Sequence, residues 1–271
     1  MNQRKSLKEL NLLDKFLFDE AMDDTENVKT MLDIILSQNT NLKHPPQTEK
    51  EQRTSTDNRQ IRLDVYAIDE DDVKYEVEAQ KENTHNLPKR SRLYQGIIDS
   101  KLLPPGVVDF NLLNEVLIVL IMPFDLFGYG LYRYTFQMKC EEVPELKLDD
   151  GATRIFLNTR GKHPELVSPE LIELLKYMEH STDEISEACE SKRIQEMHRR
   201  VCQIKASEKA EVKYMQTWEE KILIKQEGER IGLERINRLN QKLIEQGRFD
   251  DLTKATSDSS YQEKLLKEFK I

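Results

Sequence analysis

The chain has 271 residues, of which 38% are hydrophobic and 34% charged, and its formal net charge is -9 at pH 7. This composition supports a folded core, so we expect one large domain or a domain with an appended module. The acidic total argues against broad coating of nucleic acid by the whole surface. The sequence lacks a run of 18 apolar residues, so we expect no transmembrane helix. The charged start "MNQRKSLKELNLLDKF" predicts no signal peptide.

The cysteines indicate a reducing environment. Cys140, Cys189 and Cys202 are odd in number and far apart, which fits neither a disulfide framework nor a zinc site. We therefore expect a cytoplasmic protein. The histidines show no metal-ligand spacing, and we expect surface or packing roles for them. They are His44, His85, His163, His180 and His198.

The first 60 residues divide into a helical part and a polar part. Residues 6–36 carry Leu and Phe at helical spacing and predict helices, with Asp24 or Thr25 as the cap of the second segment. Residues 37–60 are polar and contain Pro45-Pro46. We expect a loop or an irregular strand there.

Residues 61–81, "IRLDVYAIDEDDVKYEVEAQK", alternate between apolar and polar side chains and predict an antiparallel hairpin. The polar face carries Asp64 on the first strand, and Glu76 and Glu78 on the second. A three-residue loop at 70–72 places Glu78 opposite Asp64, and a shift by two residues places Glu76 there instead. In either register two carboxylates face each other with Cβ atoms about 5 Å apart.

Facing carboxylates repel each other, and a divalent cation between them removes that cost. Mg²⁺ prefers oxygen ligands, commonly one or two carboxylates together with water and substrate phosphate. A cation held by Asp64 and Glu78 would stabilise charge at phosphorus and activate a water molecule. Gln80 follows on the same face and could orient that water or a phosphate oxygen. Polar alternation is also typical of a solvated strand face, and that alternative stays open.

The remaining elements complete an α/β pattern. "LPKRSRLYQGIIDSKLL" predicts a helix, and "EVLIVLIMPF" predicts a strand covered on both faces. "GLYRYTFQMK" and "TRIFLNT" predict further strands, and "SPELIELLKYM" predicts a helix capped by Ser168. From about residue 182 the chain is almost wholly helical, with Gly228 and Gly232 interrupting a long helix.

Positive charge is concentrated in two segments. Lys89, Arg90 and Arg92 cluster at a helix start, where the helix dipole disfavours cations, so they are either phosphate contacts or a solvated cluster. Residues 192–248 carry 14 Lys and Arg against nine Asp and Glu, which indicates either a phosphate-binding surface or a solvated helix. The stretch "WEEKILIKQEGERIGLERINRLNQKLIEQ" is amphipathic and predicts a homo-oligomer formed through the C-terminal helices.

Six segments together resemble the PD-(D/E)XK nuclease-family transposases, relatives of the recombination-promoting nucleases. They are "LDKFLFDEAM", "IRLDVYAID", "YEVEAQ", "LPKRSRLYQGIID", "FDLFGYGLYRYTF" and "DDGATRIFLNTRG". The resemblance runs from about residue 6 to 180. It implies a restriction-endonuclease-like α/β core with a mixed central sheet flanked by helices in residues 1–180, followed by an α-helical extension in residues 181–271.

The resemblance also implies roles for individual residues. Asp64 and Glu78 match the metal-binding acids, and Gln80 takes the position usually held by Lys. Because Gln neither carries positive charge nor shuttles a proton, water activation would depend more heavily on the metal. Asp14 and Glu20 are candidates for an additional acid from the first helix.

The implied activity is Mg²⁺-dependent hydrolysis of DNA phosphodiester bonds in transposition or recombination, with Mn²⁺ as a substitute metal. The partner is DNA, contacted by Lys89, Arg90 and Arg92, and no membrane is involved. The alternative is a catalytically weak or inactive nuclease-fold module that binds DNA or protein. The change from Lys to Gln at position 80 and the acidic net charge favour that alternative.

Overall fold

The computed structural model describes residues 4–52 and 61–271, which form an α/β protein. The chain divides into two compact units, Met1–Glu211 and Val212–Ile271. The first unit contains a six-stranded sheet with helices around it, and the second is helical. The α/β class, the mixed sheet flanked by helices and the helical C-terminal region are thereby confirmed.

The elements follow one another in the order that the sequence patterns predict, and a polar strand forms within residues 37–60, where a loop or an irregular strand was expected. The strands are β1 (Gln47–Gln52), β2 (Ile61–Ile68), β3 (Lys74–Ala79), β4 (Val116–Met122), β5 (Arg133–Phe136) and β6 (Ala152–Asn158). The helices of the first unit are α1 (Lys15–Met22), α2 (Thr25–Leu36), α3 (Leu87–Asp99), α4 (Pro169–Glu179), α5 (Asp183–Ala188), α6 (Lys192–Lys205) and the start of α7 (Glu208–Glu245). The second unit contains the rest of α7, α8 (Phe249–Ser257) and α9 (Ser259–Glu268). Short 3-10 helices cover Leu7–Glu9, Phe110–Leu112 and Pro164–Leu166.

The sheet has the order β1-β2-β3-β4-β6-β5. Its centre is parallel, because β4 pairs in parallel with both β3 and β6, whereas the β1–β2, β2–β3 and β5–β6 pairs are antiparallel. β4 is buried along almost its whole length. This burial explains its nearly continuous apolar sequence, since a central parallel strand is covered on both faces.

The hairpin of β2 and β3 has the register predicted for a three-residue loop. Val65 lies opposite Val77, and the turn is closed by a hydrogen bond from the Asp69 amide to the Val73 carbonyl. Val65 and Val77 are the last paired residues at the end away from the turn. Asp64 and Glu78 therefore lie immediately beyond the paired segment, at a point that we call the fork.

One face of the sheet is covered by α3. Tyr94, Ile97 and Ile98 of this helix belong to the same buried cluster as Ile118 of β4 and Phe156 of β6. α1 contacts β1 and β2 and also packs against α2 and α6. The fork thus receives side chains from α1 and from α3, as described below.

The helix boundaries reflect local capping. The Asp24 side chain accepts hydrogen bonds from two amides of α2, as expected for an N-cap, and Ser168 caps α4 in the same way. α7 continues through Gly228 and Gly232, so the predicted interruption is wrong. A glycine within a helix costs only about 1 kcal/mol relative to alanine, and the neighbouring residues favour the helix. α7 ends before Gly247, whose φ of +68° suits a C-cap glycine.

The second unit has its own small core, formed where the end of α7 packs with α8 and α9. Its buried residues are Leu239, Leu243, Ala255, Leu265 and Leu266. α5 and α6 follow residue 180 but belong to the first unit. Across residues 4–52 and 61–271, none of the helices is both long enough and apolar enough to cross a membrane.

Candidate metal centre

Three acidic residues of the hairpin are buried at or next to the fork. Asp64 is 6% exposed, Glu78 is 8% exposed and Glu76 is completely buried. Their side chains are too shielded from water for a solvated strand face. The open alternative of a solvated polar face therefore does not describe these three positions.

Several oxygens of these carboxylates have no hydrogen-bond partner. Both carboxylate oxygens of Glu76 and the Oε2 atom of Glu78 are buried and unpartnered. Burying an unpaired polar group is unfavourable, and buried charges are normally paired or bound to metals. The fork therefore holds acceptor oxygens that receive no hydrogen bond of normal geometry, although the backbone amide of Asp64 lies near enough to Glu76 to oppose the rise of its pKa.

Burial and mutual repulsion shift these groups toward their neutral forms. Burial raises the pKa of Glu78 to about 7, and the charge of Asp64 acts in the same direction. Burial also raises the pKa of Glu76 well above its usual value, with further increases from the charges of Asp64 and Glu78. The negative charges therefore lie close enough to influence one another. A cation bound between them would reverse this effect.

Two positively charged side chains, each from a different helix, reach the fork. Lys15 of α1 binds the Asp64 carboxylate, with 2.7 Å between Nζ and Oδ1. Arg90 of α3 forms an ion pair with Glu78 through Nη2. Burial lowers the pKa of Lys15, but the charges of Asp64 and Asp19 outweigh it and raise the pKa overall. Each cation engages one oxygen of its partner, so the buried Oε2 of Glu78 stays unpartnered.

The first helix contributes an acid that the sequence analysis missed. Asp19 of α1 lies 3.1 Å from the Lys15 ammonium that also binds Asp64. Burial raises the pKa of Asp19 to about 7, and the charge of Asp64 adds to the increase. Asp19, Asp64, Glu76 and Glu78 form what we call the acid cluster. The signal for Asp19 was its position four residues after Lys15, on the helical turn that faces β2.

The two acids predicted from the first helix, Asp14 and Glu20, differ in position from Asp19. Asp14 immediately precedes α1, where its carboxylate accepts a hydrogen bond from the Asn11 amide at 2.9 Å and pairs with Lys81. Glu20 is half-buried and lies one residue beyond Asp19, about 100° further around the helix. The largest charge effects on the pKa values of Glu76 and Glu78 come from other residues, namely Asp64, Glu78, Arg90 and Lys15.

Gln80 is linked to Glu78 through a shared guanidinium group. Arg90 Nη2 donates to the Oε1 atom of Gln80 at 2.6 Å and also to Glu78. The amide nitrogen of Gln80 donates to the Glu82 carbonyl at 2.5 Å, and its backbone amide donates to Ile121 at 2.8 Å. Position 80 is thereby held beside the acid cluster, within reach of a ligand bound to Glu78.

The predicted basic contacts separate into inward and outward groups. Lys89 and Arg92 are exposed at the start of α3, whereas Arg90 turns inward to Glu78. In α6, Arg193 pairs with Glu170 and Arg200 donates to Asn27 at 2.7 Å. These two arginines hold α6 to the rest of its unit. Of these cations, Lys89 and Arg92 are the best placed to contact a phosphate.

The fork is therefore a water-poor site with carboxylate oxygens from two strands and a further acid nearby on α1. Such a donor set suits a hard divalent cation. No protein-family model matches the sequence, and neither a curated protein nor a solved structure is similar to it.

Proposed function

We propose that this protein is a metal-dependent DNA endonuclease of the PD-(D/E)XK type, which hydrolyses phosphodiester bonds with Mg²⁺ in transposition or recombination. The observation that carries the proposal is the acid cluster with its buried, unpartnered carboxylate oxygens. The sequence resemblance described above supports the same activity, because it assigns metal binding to Asp64 and Glu78.

The residues of the fork fit Mg²⁺ or Mn²⁺. All the donor atoms are carboxylate oxygens, and no soft ligand lies among them. Asp64 and Glu78 would hold the cation, and Asp19, whose carboxylate binds the same Lys15 ammonium as Asp64, would add negative charge from α1. Bound there, the cation would supply charge stabilisation at the phosphoryl group and a more acidic water.

The surrounding side chains have separate tasks in this proposal. The Gln80 amide orients the attacking water or a phosphate oxygen by hydrogen bonding. Arg90 holds Gln80 and Glu78 in a fixed relation through its Nη2 atom. Lys89 and Arg92 contact backbone phosphates beside the cut, since phosphate contacts dominate the affinity of proteins for DNA.

The test is nicking of supercoiled plasmid by the full chain, with Mg²⁺, with Mn²⁺ and with excess chelator. We expect nicking with either metal and no nicking with chelator. Glu78→Gln should lose at least about 100-fold, since a bound metal contributes several kcal/mol of charge stabilisation. Glu82→Gln is the matched control, because Glu82 is an exposed acid on the loop after β3. Nicking that survives chelation, or equal rates in the two variants, would contradict the proposal.

One observation favours the second candidate function, a catalytically weak or inactive module that binds DNA or protein. Lys15 and Arg90 already pair with Asp64 and Glu78, and such pairs compete with a metal for the same carboxylates. If this function is correct, calorimetry will show neither Mg²⁺ nor Mn²⁺ binding, and nicking will be absent. DNA binding that persists in Asp64→Ala would then identify the module as a DNA binder.

Homo-oligomerisation through the C-terminal helices is part of the proposal as well. α7 exposes several large apolar side chains to solvent, which a second copy of the chain could cover. They are Leu223, Ile224, Ile231 and Leu233. Sedimentation of the full chain is the direct measurement, and a monomer at micromolar concentration would contradict this part.

A further inference from the structure

A second group of potential metal ligands lies away from the fork, at the junction of α5 and α6. Asp183 is the first residue of α5, and His198 and Cys202 occupy successive turns of α6. One ligand atom from each residue lies within 4.8 Å of the other two. The spacing of four residues between His198 and Cys202 puts both on one helix face, which is a signal that the sequence analysis did not use.

The three atoms lie close to the separations expected of tetrahedral metal ligands, although only one of the three distances falls within the expected range. The Nε2 atom of His198 lies 2.8 Å from Asp183 Oδ1 and 3.4 Å from Cys202 Sγ. The sulfur lies 3.9 Å from the same carboxylate oxygen. Zinc bond lengths of about 2.0 to 2.3 Å at tetrahedral angles correspond to ligand separations of about 3.3 to 3.7 Å.

The other nitrogen of His198 is already engaged. Its Nδ1 atom lies 3.0 Å from the hydroxyl oxygen of Tyr177, a completely buried residue of α4. If Nε2 bound a metal, Nδ1 would carry the hydrogen and would donate a hydrogen bond to the Tyr177 oxygen. Such an outer hydrogen bond commonly orients a metal-binding histidine.

Two simpler roles account for less of this geometry. An Asp183–His198 ion pair would be weak, because the Asp183 side chain is 84% exposed, and it gives Cys202 no role. In a cysteine–histidine nucleophile pair, the orienting acid contacts the nitrogen opposite the thiol. Here Asp183 approaches Nε2, and the Cys202 sulfur also lies nearer to Nε2, at 3.4 Å, than to Nδ1, at 3.9 Å. A shared cation requires that the ligand atoms of Asp183, His198 and Cys202 lie close together, as they do here.

An open cavity adjoins the three ligands. It has a volume of about 360 Å³ and is lined by all three, together with Lys8 and Lys205. The Lys205 ammonium is held by the Ser181 carbonyl at 2.8 Å. A fourth coordination position facing this cavity would be filled by water or by a small anion, which the two lysines would favour.

We propose that Asp183, His198 and Cys202 form a Zn²⁺ site, with His198 coordinating through Nε2 and the fourth position open to the cavity. A nitrogen, oxygen and sulfur donor set selects zinc over Mg²⁺, which prefers oxygen ligands alone. The site would tie α5 to α6. It is independent of the proposed nuclease activity, because the acid cluster contains no sulfur or nitrogen ligand.

The experiment uses the full chain, stripped with chelator under reducing conditions and titrated with Co²⁺. We expect one equivalent to produce a near-ultraviolet thiolate-to-cobalt band, and Zn²⁺ to displace it. Cys202→Ser should lose the band, whereas Cys140→Ser should keep it, since Cys140 is a half-buried thiol outside the cluster. Circular dichroism verifies that each variant is folded.

A third variant tests the assignment of His198 Nε2. Tyr177→Phe keeps the buried ring and should weaken Zn²⁺ binding about 10- to 100-fold, as the loss of an outer hydrogen bond does elsewhere. Unchanged affinity in this variant would overturn the assignment. Absence of the cobalt band in the wild type, its persistence in Cys202→Ser, or its loss in Cys140→Ser would overturn the site itself. Cobalt bound at the acid cluster gives no thiolate band, so the two sites are distinguishable.

Discussion

Replacement of Glu78 by Gln should make the metal-free protein more stable at alkaline pH. Glu78 is buried beside Asp64, and its folded-state pKa is raised from 4.5 to about 7. Between these two pH values the folded chain binds more protons than the unfolded chain. The contribution of Glu78 to stability is therefore fully present below pH 4.5 and is lost as pH rises through about 7. Gln cannot lose a proton, so the variant keeps that contribution.

The magnitude follows from the size of the shift. At 1.36 kcal/mol per pKa unit, the difference between 4.5 and about 7 corresponds to about 3 kcal/mol at pH 8. At pH 5 the wild type has lost only about 1 kcal/mol of the stability that protonated Glu78 provides. The advantage of Glu78→Gln over the wild type should therefore grow by about 2 kcal/mol between these conditions.

The assay is urea unfolding of chelator-treated protein at pH 5 and pH 8, followed by circular dichroism. Glu82→Gln is the control, and we expect it to follow the wild type at both values. Addition of Mg²⁺ at pH 8 should narrow the gap between wild type and Glu78→Gln, because a cation would stabilise only the ionised carboxylate. An advantage of Glu78→Gln that does not change with pH would refute the reasoning.

Three further predictions concern the neighbours of Glu78. Asp19→Asn should weaken Mg²⁺ binding about tenfold, as the loss of a group beside the ligands does. Asp14→Ala should leave Mg²⁺ binding unchanged and lower stability by about 1 kcal/mol, because it removes the hydrogen bond from the Asn11 amide. Calorimetric titration and urea unfolding separate these effects, and equal Mg²⁺ affinities in the two variants would remove Asp19 from the site. Gln80→Lys should fold normally and raise the nicking rate, because it adds a cation next to the scissile phosphate. An unchanged rate would show that position 80 does not touch the reacting group. Arg92→Ala should weaken DNA binding equally for all sequences and reduce the salt slope by about one unit, as loss of one phosphate contact does. Binding titrations at several salt concentrations measure this slope, and Arg90→Ala should change it less because Arg90 pairs with Glu78.

The hairpin could be predicted from the sequence because its determinants are local. Alternation with period two assigned the faces of β2 and β3 but left two registers open. The observed pairing of Val65 with Val77 is the register of the three-residue loop. Strand β1 was harder to predict, because its sequence QTEKEQ has no apolar alternation to separate a strand from a loop.

The supporting side chains of the fork depend on distant packing and gave weaker signals. Asp19 was missed because the sequence of α1 does not show which of its faces packs against β2. Arg90 was read as a DNA contact, but the packing of α3 on the sheet directs it to Glu78. The meeting of Asp183 with His198 joins two helices and was equally invisible in the residue spacing.

The edges of the sheet bear on the tendency of the protein to aggregate. An edge strand exposes unpaired backbone groups that can recruit a strand from another molecule. At one edge, β1 carries alternating charges, and Glu49 has a left-handed φ of +49° that interrupts a flat hydrogen-bonding ladder. At the other edge, β5 is only four residues long. Charge, backbone irregularity and shortness therefore discourage intermolecular strand addition at both sides, so the sheet should resist growth into β-aggregates.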